Sequence, residues 1–291
     1  MTRIGCARSS CYAPASTVSF SRSRGAATTR RAVTVSLRRS FAITRNELRL
    51  LRRDPTPLVI LIAMPLLIVP ILRATFRAVL VVSGHPHASG SDFAVPGQAV
   101  SFIFFLAPTI AFTFFREHGW RTWARLRASC GNSAEILLGK ALPMLAVGAL
   151  QLALLFGVGV AVLDLHVPGS AVGVALLCLA LLLCVVALGL ALTAVFRTMQ
   201  QLNAFGYLGA TFFGMLGGAF VPLAMLPSWA RAVAPATPQY WAMRGLRSLI
   251  LDGKGTSAVG LPVAVLCGYA LLFVIIALWR LRFDDAKVGW A

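Results

Sequence analysis

The sequence has 291 residues, of which 58% are hydrophobic and only 12% are charged, and its mean hydropathy is +0.80. These values lie outside the range of soluble globular proteins and predict an integral membrane protein. The formal net charge of +18 would suggest nucleic acid as the partner of a soluble protein. Here the basic residues lie between apolar runs, which is typical of membrane topology, so no nucleic-acid partner is expected.

Residues 1–34 are rich in Ser, Thr, Ala and Arg, and they contain no apolar block of the length that a signal peptide needs. The arginine pairs at 30–31 and 38–39 also lack the apolar region that a twin-arginine signal requires. Two interpretations follow. The segment is either a disordered cytoplasmic tail or the product of a start codon assigned too far upstream.

The next segment, 35–54, predicts a basic amphipathic helix that lies in the inner membrane interface. Its apolar stripe consists of Leu37, Phe41, Leu48 and Leu51, and the residues roughly opposite are Arg39, Asn46 and Arg53. Asp54 and Pro55 end the helix. A solvated basic helix is the alternative, but the density of arginine next to a membrane span favours the interfacial helix.

Six apolar runs are long enough to cross a hydrocarbon core of roughly 30 Å, which takes about 20 helical residues. The runs lie near 57–81, 98–116, 139–164, 171–195, 202–226 and 258–280. The predicted fold class is therefore all-α, a polytopic membrane protein with six transmembrane helices.

The distribution of Lys and Arg predicts the orientation of these helices. Residues 1–53 contain 12 of the 27 Lys and Arg residues and 115–140 contain five, whereas 83–97 and 165–170 contain none. Because segments rich in Lys and Arg stay on the cytoplasmic side, both termini and the 115–140 segment are expected in the cytoplasm. The protein is expected to be a multi-pass protein of the inner (cytoplasmic) membrane.

The segment between the second and third runs reads FREHGWRTWARLRASCGNSAEILLGK, which is an unusual composition for a connector. Two tryptophans, Trp120 and Trp123, alternate with arginines, and acidic residues are few. Composition alone leaves two interpretations open. The segment either docks on a partner protein or lies on anionic lipid headgroups.

A proline-rich segment, 222–252, follows the fifth run. The run contains the small residues Gly214, Gly217 and Gly218, which let another helix approach closely, and Pro222 then breaks the helix. The segment also contains Pro227, Trp229, Pro235, Pro238, Tyr240 and Trp241. We expect two short helices that dip back into the outer leaflet, with the aromatic residues at headgroup depth. An ordinary outer loop is the alternative.

No catalytic, cofactor or metal site is predicted. The sequence contains no G-x-x-x-x-G-K-[ST] phosphate loop, no H-E-x-x-H and no G-x-S-x-G, and its Cys and His residues show no metal-ligand spacing. The acidic residues fall at helix ends, in loops or in tails, which disfavours an ion-coupled carrier. Arg73 and Arg77, at the outer end of the first helix, are expected to snorkel toward the headgroups.

Three stretches of this sequence carry a family resemblance. They are NELRLLRRDPTPLVILIAMPLLIVPIL, REHGWRTWARLRASCGNSAEILLGKALP and GGAFVPLAMLPSWARAVAPATPQYWAMRGLRSLI. In this order, and with six spans, they resemble the membrane subunit of ABC-2 type transporters, the permease class that includes the daunorubicin-resistance exporters. One departure is Cys130, where many relatives have proline. Because of it, the sequence does not define the residue at which the helix in the second stretch ends.

The resemblance implies that residues 116–129 form a coupling helix seated in a groove of a separate ATP-binding subunit. The coupling residues that it implies are Glu117, Gly119, Trp120, Trp123, Arg125, Leu126 and Arg127. It also implies an outer gate within the reentrant region, formed by Gly217, Gly218, Phe220, Pro222, Pro227, Pro238 and Arg247. The transmembrane domain would cover 35–285, followed by a cytoplasmic tail at 286–291.

The implied function is that of the permease subunit of an ATP-driven exporter of a hydrophobic or amphipathic small molecule, such as a drug, antibiotic or secondary metabolite. The chain itself would not be an enzyme and would hold no cofactor, since ATP binds the partner subunit. It would pair with a second copy or with a paralogous permease, surrounded by membrane lipids. The alternatives are an exporter of saccharide or lipid-linked cargo and a membrane immunity or regulatory protein that does not transport.

Overall fold

The computed structural model describes residues 37–82, 84–119 and 133–280, and the secondary structure of these residues is helical. The helices are α1 (Leu37–Arg53), α2 (Thr56–Val82), α3 (Ser91–Phe104), α4 (Leu106–Gly119), α5 (Ser133–Val162), α6 (Ala171–Val195), α7 (Met199–Leu216), α8 (Ser228–Val233), α9 (Pro238–Ile250) and α10 (Gly260–Arg280). Short 3-10 helices lie at Leu223–Met225, Ala234–Ala236 and Thr256–Val259. The all-α prediction is confirmed for these residues. The predicted tails at 1–34 and 286–291 lie outside them.

Within the described residues, five segments are long and apolar enough to cross a membrane. They are Leu58–Val82, Ser91–Glu117, Glu135–Val162, Ala171–Val195 and Thr256–Arg280. They match the first, second, third, fourth and sixth predicted spans, so the chain is a multi-pass membrane protein. The predicted fifth span near 202–226 corresponds to α7, which ends earlier, at Leu216, and begins with the polar residues Gln200, Gln201 and Asn203. The count of six therefore stays a prediction.

The second span begins earlier than predicted, at Ser91 rather than near residue 98. Polar and helix-breaking residues such as Asp92 and Pro96 are typical of a loop. In the structure, however, the Asp92 carboxylate accepts hydrogen bonds from the backbone N–H groups of Ser89 and His166, at 2.7 and 2.8 Å. A carboxylate in the first turn of a helix is also stabilised by the helix dipole.

A break at Phe105 divides the second span into α3 and α4. Pro108 has no N–H group to donate to the carbonyl of Phe104, and its ring crowds that carbonyl. The Phe105 N–H instead donates to the Phe102 carbonyl at 3.1 Å, which is a tighter turn than in an α-helix. The Thr109 hydroxyl donates to the Phe105 carbonyl at 2.9 Å.

Helix α1 covers most of the predicted segment 35–54, and the face through which it packs on the chain is separate from the predicted apolar stripe. Ser40, Ile43 and Glu47 are buried, whereas Phe41 is 68% exposed and Leu48 is 42% exposed. The buried face lies against α5. Phe41 and Leu48 of the apolar stripe are therefore exposed, as is Asn46 on the polar side, and the position of α1 in the membrane interface stays a prediction.

The hydrophobic core is built around the second span and α6. In the most apolar 18-residue stretch of the second span, 78% is buried within the chain. The corresponding share is 17% in Leu58–Val82 and in Thr256–Arg280. Helix α6 packs most extensively on α10 and α4. The first and last spans therefore offer most of their apolar surface to the surroundings, while the second span lies at the centre.

Candidate coupling region and outer gate

The predicted coupling segment begins at the C-terminal end of α4. Glu117 lies in the last turn of this helix and is 9% exposed, and Gly119 is its last residue. The remaining predicted coupling residues lie outside the described part of the chain; they are Trp120, Trp123, Arg125, Leu126 and Arg127. The structure resumes at Ser133, where α5 begins.

A buried ionic cluster lies where α4 and α5, the helices before and after this segment, meet α1. Lys140 of α5 donates hydrogen bonds to Glu47 Oε1 of α1 at 2.6 Å and to the Thr113 carbonyl of α4 at 3.2 Å. The Lys140 ammonium also lies 3.4 Å from Glu117 Oε1. Arg116 of α4 donates to the second oxygen of Glu47 at 2.7 Å. The cluster thus joins three helices through two acidic and two basic side chains.

This cluster is deeply buried, since the Lys140 side chain is 0% exposed and that of Glu47 is 2% exposed. Buried charges are tolerated only when they are paired and hydrogen-bonded. The Lys140 ammonium is further placed 5.3 Å from the centre of the Phe114 ring, within the range of a cation–π interaction. The cluster therefore holds α4 and α5 against α1, because the loss of any member would leave a buried charge with fewer partners.

Contacts between α1 and α5 extend from the cluster. The Ser40 hydroxyl donates to the Glu135 carbonyl at 3.3 Å and the Thr44 hydroxyl donates to the Gly139 carbonyl at 3.1 Å. A Cβ at Gly139 would lie 2.6 Å from the Ile43 Cβ. The backbone of α5 at Gly139 therefore contacts the Ile43 side chain of α1 directly.

The predicted outer-gate residues Gly217 and Gly218 lie at the end of α7, where the start of α9 packs on them. Gly218 has a φ of +78°, a left-handed conformation that favours glycine. A Cβ at Gly217 would lie 2.5 Å from the Gln239 Cβ and 2.8 Å from the Tyr240 nitrogen. The start of α9 therefore rests directly on the end of α7.

The loop after Gly218 packs back onto the membrane helices. A Cβ at Gly214 would lie 3.0 Å from the Phe220 ring, and a Cβ at Gly97 would lie 2.4 Å from the Ala219 carbonyl oxygen. Phe220 thus lies over α7, and Ala219 lies against the second span.

The prolines of the region mark the ends of its short helices. Pro222 is buried and precedes the 3-10 helix at Leu223–Met225, Pro227 precedes α8, and Pro238 is the first residue of α9. Proline is favoured at such positions because the first N–H groups of a helix have no intrahelical acceptor. Arg247 lies in the last turn of α9, where its carbonyl accepts from the N–H groups of Leu251 and Asp252.

At the other end of the first span, Arg73 forms an ion pair with Asp164 rather than only snorkelling toward headgroups. Asp164 has a positive φ of 52°, and its carbonyl accepts a hydrogen bond from the Ser89 hydroxyl at 2.7 Å. Arg77 is exposed, as expected. The sequence offered no signal for the Arg73 partner, because Asp164 lies in a different loop.

These features agree with the family to which the chain belongs. The family model of the ABC-2 type transporter membrane domain matches residues 38–251, and the chain is therefore a member of that family. ABC-2 permeases are the membrane subunits of transporters and work with an ATP-binding subunit.

The chain is also similar to the linearmycin resistance permease protein LnrN of Bacillus subtilis strain 168. The two are 30% identical over 197 residues, which is 65% of this chain and 48% of that relative. The match thus spans about half of the relative's length.

Proposed function

We propose that this chain is the membrane-spanning subunit of an ATP-driven exporter and that it receives the energy of ATP hydrolysis through residues 116–129. The observation that carries the proposal is the buried cluster of Glu47, Arg116, Glu117 and Lys140. It joins Arg116 and Glu117, the first residues of the predicted coupling segment, to α1 and to Lys140 of the helix that follows the segment. A push on that segment by a partner subunit would therefore move α1, α4 and α5 together.

The partner of this segment is an ATP-binding subunit. Trp120 and Trp123 would supply large amphipathic contacts, while Arg125 and Arg127 would pair with acidic side chains on the partner, with Leu126 buried among them. The affinity of the ATP-binding subunit would differ between two membrane conformations, and that difference would drive the change between them.

The membrane arrangement has six spans, with both termini in the cytoplasm and α1 in the inner interface of the cytoplasmic membrane. The distribution of Lys and Arg supports this orientation, and the exposure of Phe41 and Leu48 supports the placement of α1. Two copies, or one copy with a paralogous permease, would form the complete pathway.

The 222–252 segment would dip into the outer leaflet and form the gate. Supporting this, the Tyr269 hydroxyl donates to the Ala236 carbonyl at 2.9 Å, and Tyr269 lies about 13 Å along α10 from its first residue, Gly260. At the other end of α9, the Leu249 carbonyl accepts from the Gly169 N–H at 3.1 Å, in the loop before α6. The residues before α9 therefore lie partway along α10, whereas the end of α9 lies beside the loop that precedes α6.

The cargo would be a hydrophobic or amphipathic small molecule. The similarity to a permease named for linearmycin resistance supports this class, and so does the apolar composition of the spans. A drug, antibiotic or secondary metabolite fits the class.

The proposal can be tested by measuring efflux of a panel of fluorescent amphipathic drugs, including daunorubicin, from cells that contain the chain and its ATP-binding subunit. Gly217→Leu should abolish efflux and drug tolerance, because the new side chain would collide with Gln239 and Tyr240. The control is Gly157→Ala on α5, whose Cβ would have no neighbour within 4 Å. If Gly217→Leu folds and tolerance persists, the chain protects the cell without a transport cycle and the export proposal is wrong.

A further inference from the structure

A cavity of about 310 Å³ lies between α3, α4, α6, α7, α9 and α10. Its walls are formed by apolar residues of these helices and by the short segment that leads into α9. The aromatic side chains that line it are Phe104, Phe205, Phe213, Tyr269 and Phe273. Rings on several sides favour an apolar ligand, because aromatic faces offer large contact areas at a small entropic cost.

One polar side chain on the cavity wall has no partner in the described part of the chain. Gln239 is 2% exposed, and its Oε1 atom is fully buried without a hydrogen bond. The other polar side chains of the wall are satisfied internally, since Thr237 donates to the Ala234 carbonyl at 2.8 Å and Tyr269 donates to the Ala236 carbonyl at 2.9 Å. A buried amide oxygen without a partner is costly. Among the described residues the amide oxygens of Gln98, Gln151 and Gln239 are of this kind, and only that of Gln239 belongs to a residue of the cavity wall.

The position of Gln239 is fixed by the packing beneath it. The Gly217 backbone leaves only enough room for the Gln239 Cβ, since a Cβ on the glycine would lie 2.5 Å away. The Thr237 hydroxyl caps α9 by accepting from the Tyr240 N–H at 3.4 Å. The amide is therefore held at the start of α9, on the cavity wall, by the α9 cap and by Gly217, which is a residue of the predicted gate.

We propose that this cavity binds an amphipathic small molecule whose apolar body contacts the aromatic walls and whose hydroxyl group binds the Gln239 amide. A hydroxyl can donate to Oε1 and accept from the amide NH₂ group, so it satisfies both ends of the side chain. The cavity is near the lower end of the range for ligand pockets, about 300–1,000 Å³, so it fits a small molecule or one section of a longer one. This inference rests on the proposed function, because it assigns a cargo site.

The same features argue against a saccharide as the cargo. A sugar presents many hydroxyl groups, and each would need a hydrogen-bond partner once it left water. Within the described residues, the cavity wall provides one unsatisfied side chain. A ligand with a single hydroxyl on an apolar body needs only the one hydrogen-bonding side chain that the wall provides.

The test uses the purified full-length chain in nanodiscs and two probes with the same ring system, 2-naphthol and 2-methylnaphthalene. Binding is measured by competition between the probes and by the shift in thermal unfolding that each produces. The wild-type chain should bind 2-naphthol about tenfold more tightly than 2-methylnaphthalene, since one net hydrogen bond corresponds to roughly that ratio. Gln239→Leu should abolish the preference while leaving 2-methylnaphthalene binding unchanged.

Two further variants distinguish binding of the probes in the cavity from their partitioning into the surrounding membrane. Gln201→Leu removes the amide of an exposed glutamine on α7 and should keep the preference. Gly209→Leu places a side chain into the cavity, where the nearest atom to its Cβ lies at 4.0 Å, and should weaken both probes. Folding of each variant is checked by its elution from a size-exclusion column.

The proposal is overturned if the wild-type chain shows no preference for 2-naphthol, if Gln239→Leu retains it, or if Gly209→Leu binds both probes normally. Detection of a phospholipid that stays bound while neither probe competes with it would also overturn the proposal, since the cavity would then be a lipid site. These assays need no ATP-binding subunit. A failed preference alongside intact co-purification of that subunit would therefore reject the cavity site and leave the export proposal standing.

Discussion

Lys140 of α5 and Glu47 of α1 form a buried 2.6 Å ion pair between residues that lie 93 positions apart in the sequence. The pair connects the helix that precedes the first span with the helix that follows the predicted coupling segment. Arg116 and Glu117 add the end of α4 to the same cluster. The three helices α1, α4 and α5 are therefore joined at this point by buried ion pairs.

Removal of the Lys140 charge should strongly destabilise the protein. We expect Lys140→Met to lower the free energy of unfolding by about 3–5 kcal/mol, because it leaves Glu47 buried with one partner fewer. Combining it with Glu47→Leu should cost less than the sum of the two single changes, since both charges are then absent. Thermal unfolding in detergent, followed by tryptophan fluorescence, measures both effects.

The matched control for this change is Lys254→Met. Lys254 pairs with Asp252 at 3.0 Å, but both side chains are exposed, at 58% and 41%. Exposed pairs contribute about 0–1 kcal/mol. Equal effects of Lys140→Met and Lys254→Met would show that the buried cluster does not hold α1 in place.

The contact between α7 and α9 should be sensitive to a single methyl group. We expect Gly217→Ala to lower the free energy of unfolding by about 1–3 kcal/mol, because its Cβ would lie 2.5 Å from the Gln239 Cβ and force the helices apart. Gly209→Ala on the same helix should be neutral or stabilising by up to about 1 kcal/mol, since alanine favours the helix. Identical unfolding temperatures for the two variants would contradict this packing.

The α2–α3 turn should depend on Gly90 more than on the ion pair beside it. A Cβ at Gly90 would lie 1.7 Å from the Arg73 carbonyl oxygen, so Gly90→Ala must displace one backbone. We expect a loss of about 3 kcal/mol. Arg73→Met removes a partly exposed pair with Asp164 and should cost about 1 kcal/mol or less. Chemical denaturation of both variants compares the two losses, and a larger loss for Arg73→Met would contradict the close approach.

The interfacial placement of α1 predicts different environments for two of its exposed residues. A polarity-sensitive dye attached to cysteine at Phe41 should emit as it does in lipid, because this side chain belongs to the apolar face. The same dye at Asn46, also exposed but roughly opposite on the helix, should emit as it does in water. Aqueous spectra at both positions would indicate a solvated helix instead.

The spans could be predicted from the sequence because lipid contact requires long apolar runs, and most run boundaries lie within a few residues of the helices. The start of the second span could not be predicted, because Asp92 and Pro96 are typical of a loop. Asp92 fits a helix here because it accepts a hydrogen bond from His166, in a loop that is distant in the sequence. The same limit applies to the buried cluster. Lys140 appeared only as a cytoplasmic charge, since its partner Glu47 becomes its neighbour only when α1 folds against α5.

The candidate gate shows the same division between local and long-range information. Gly217 and Pro222 could be recognised from their effects on a helix, which are local. Gln239 could not be recognised as the unsatisfied group of a cavity, because its surroundings come from helices distant in the sequence. Local backbone chemistry is readable from sequence, whereas the pairing of polar groups between helices depends on the packed structure.

The central claim is that residues 116–129 dock on an ATP-binding subunit, and co-purification tests it most directly. The tagged chain is solubilised gently from its native membrane as wild type, as Trp123→Ala with Arg125→Glu, and as Trp229→Ala with Arg231→Glu. The last pair is a matched control, since both residues lie exposed on α8, on the predicted outer side. The account predicts that an ATP-binding subunit accompanies the wild type and the control but not the first double variant. Full retention of the subunit by the Trp123 and Arg125 variant would contradict the docking claim and indicate a segment that lies on lipid.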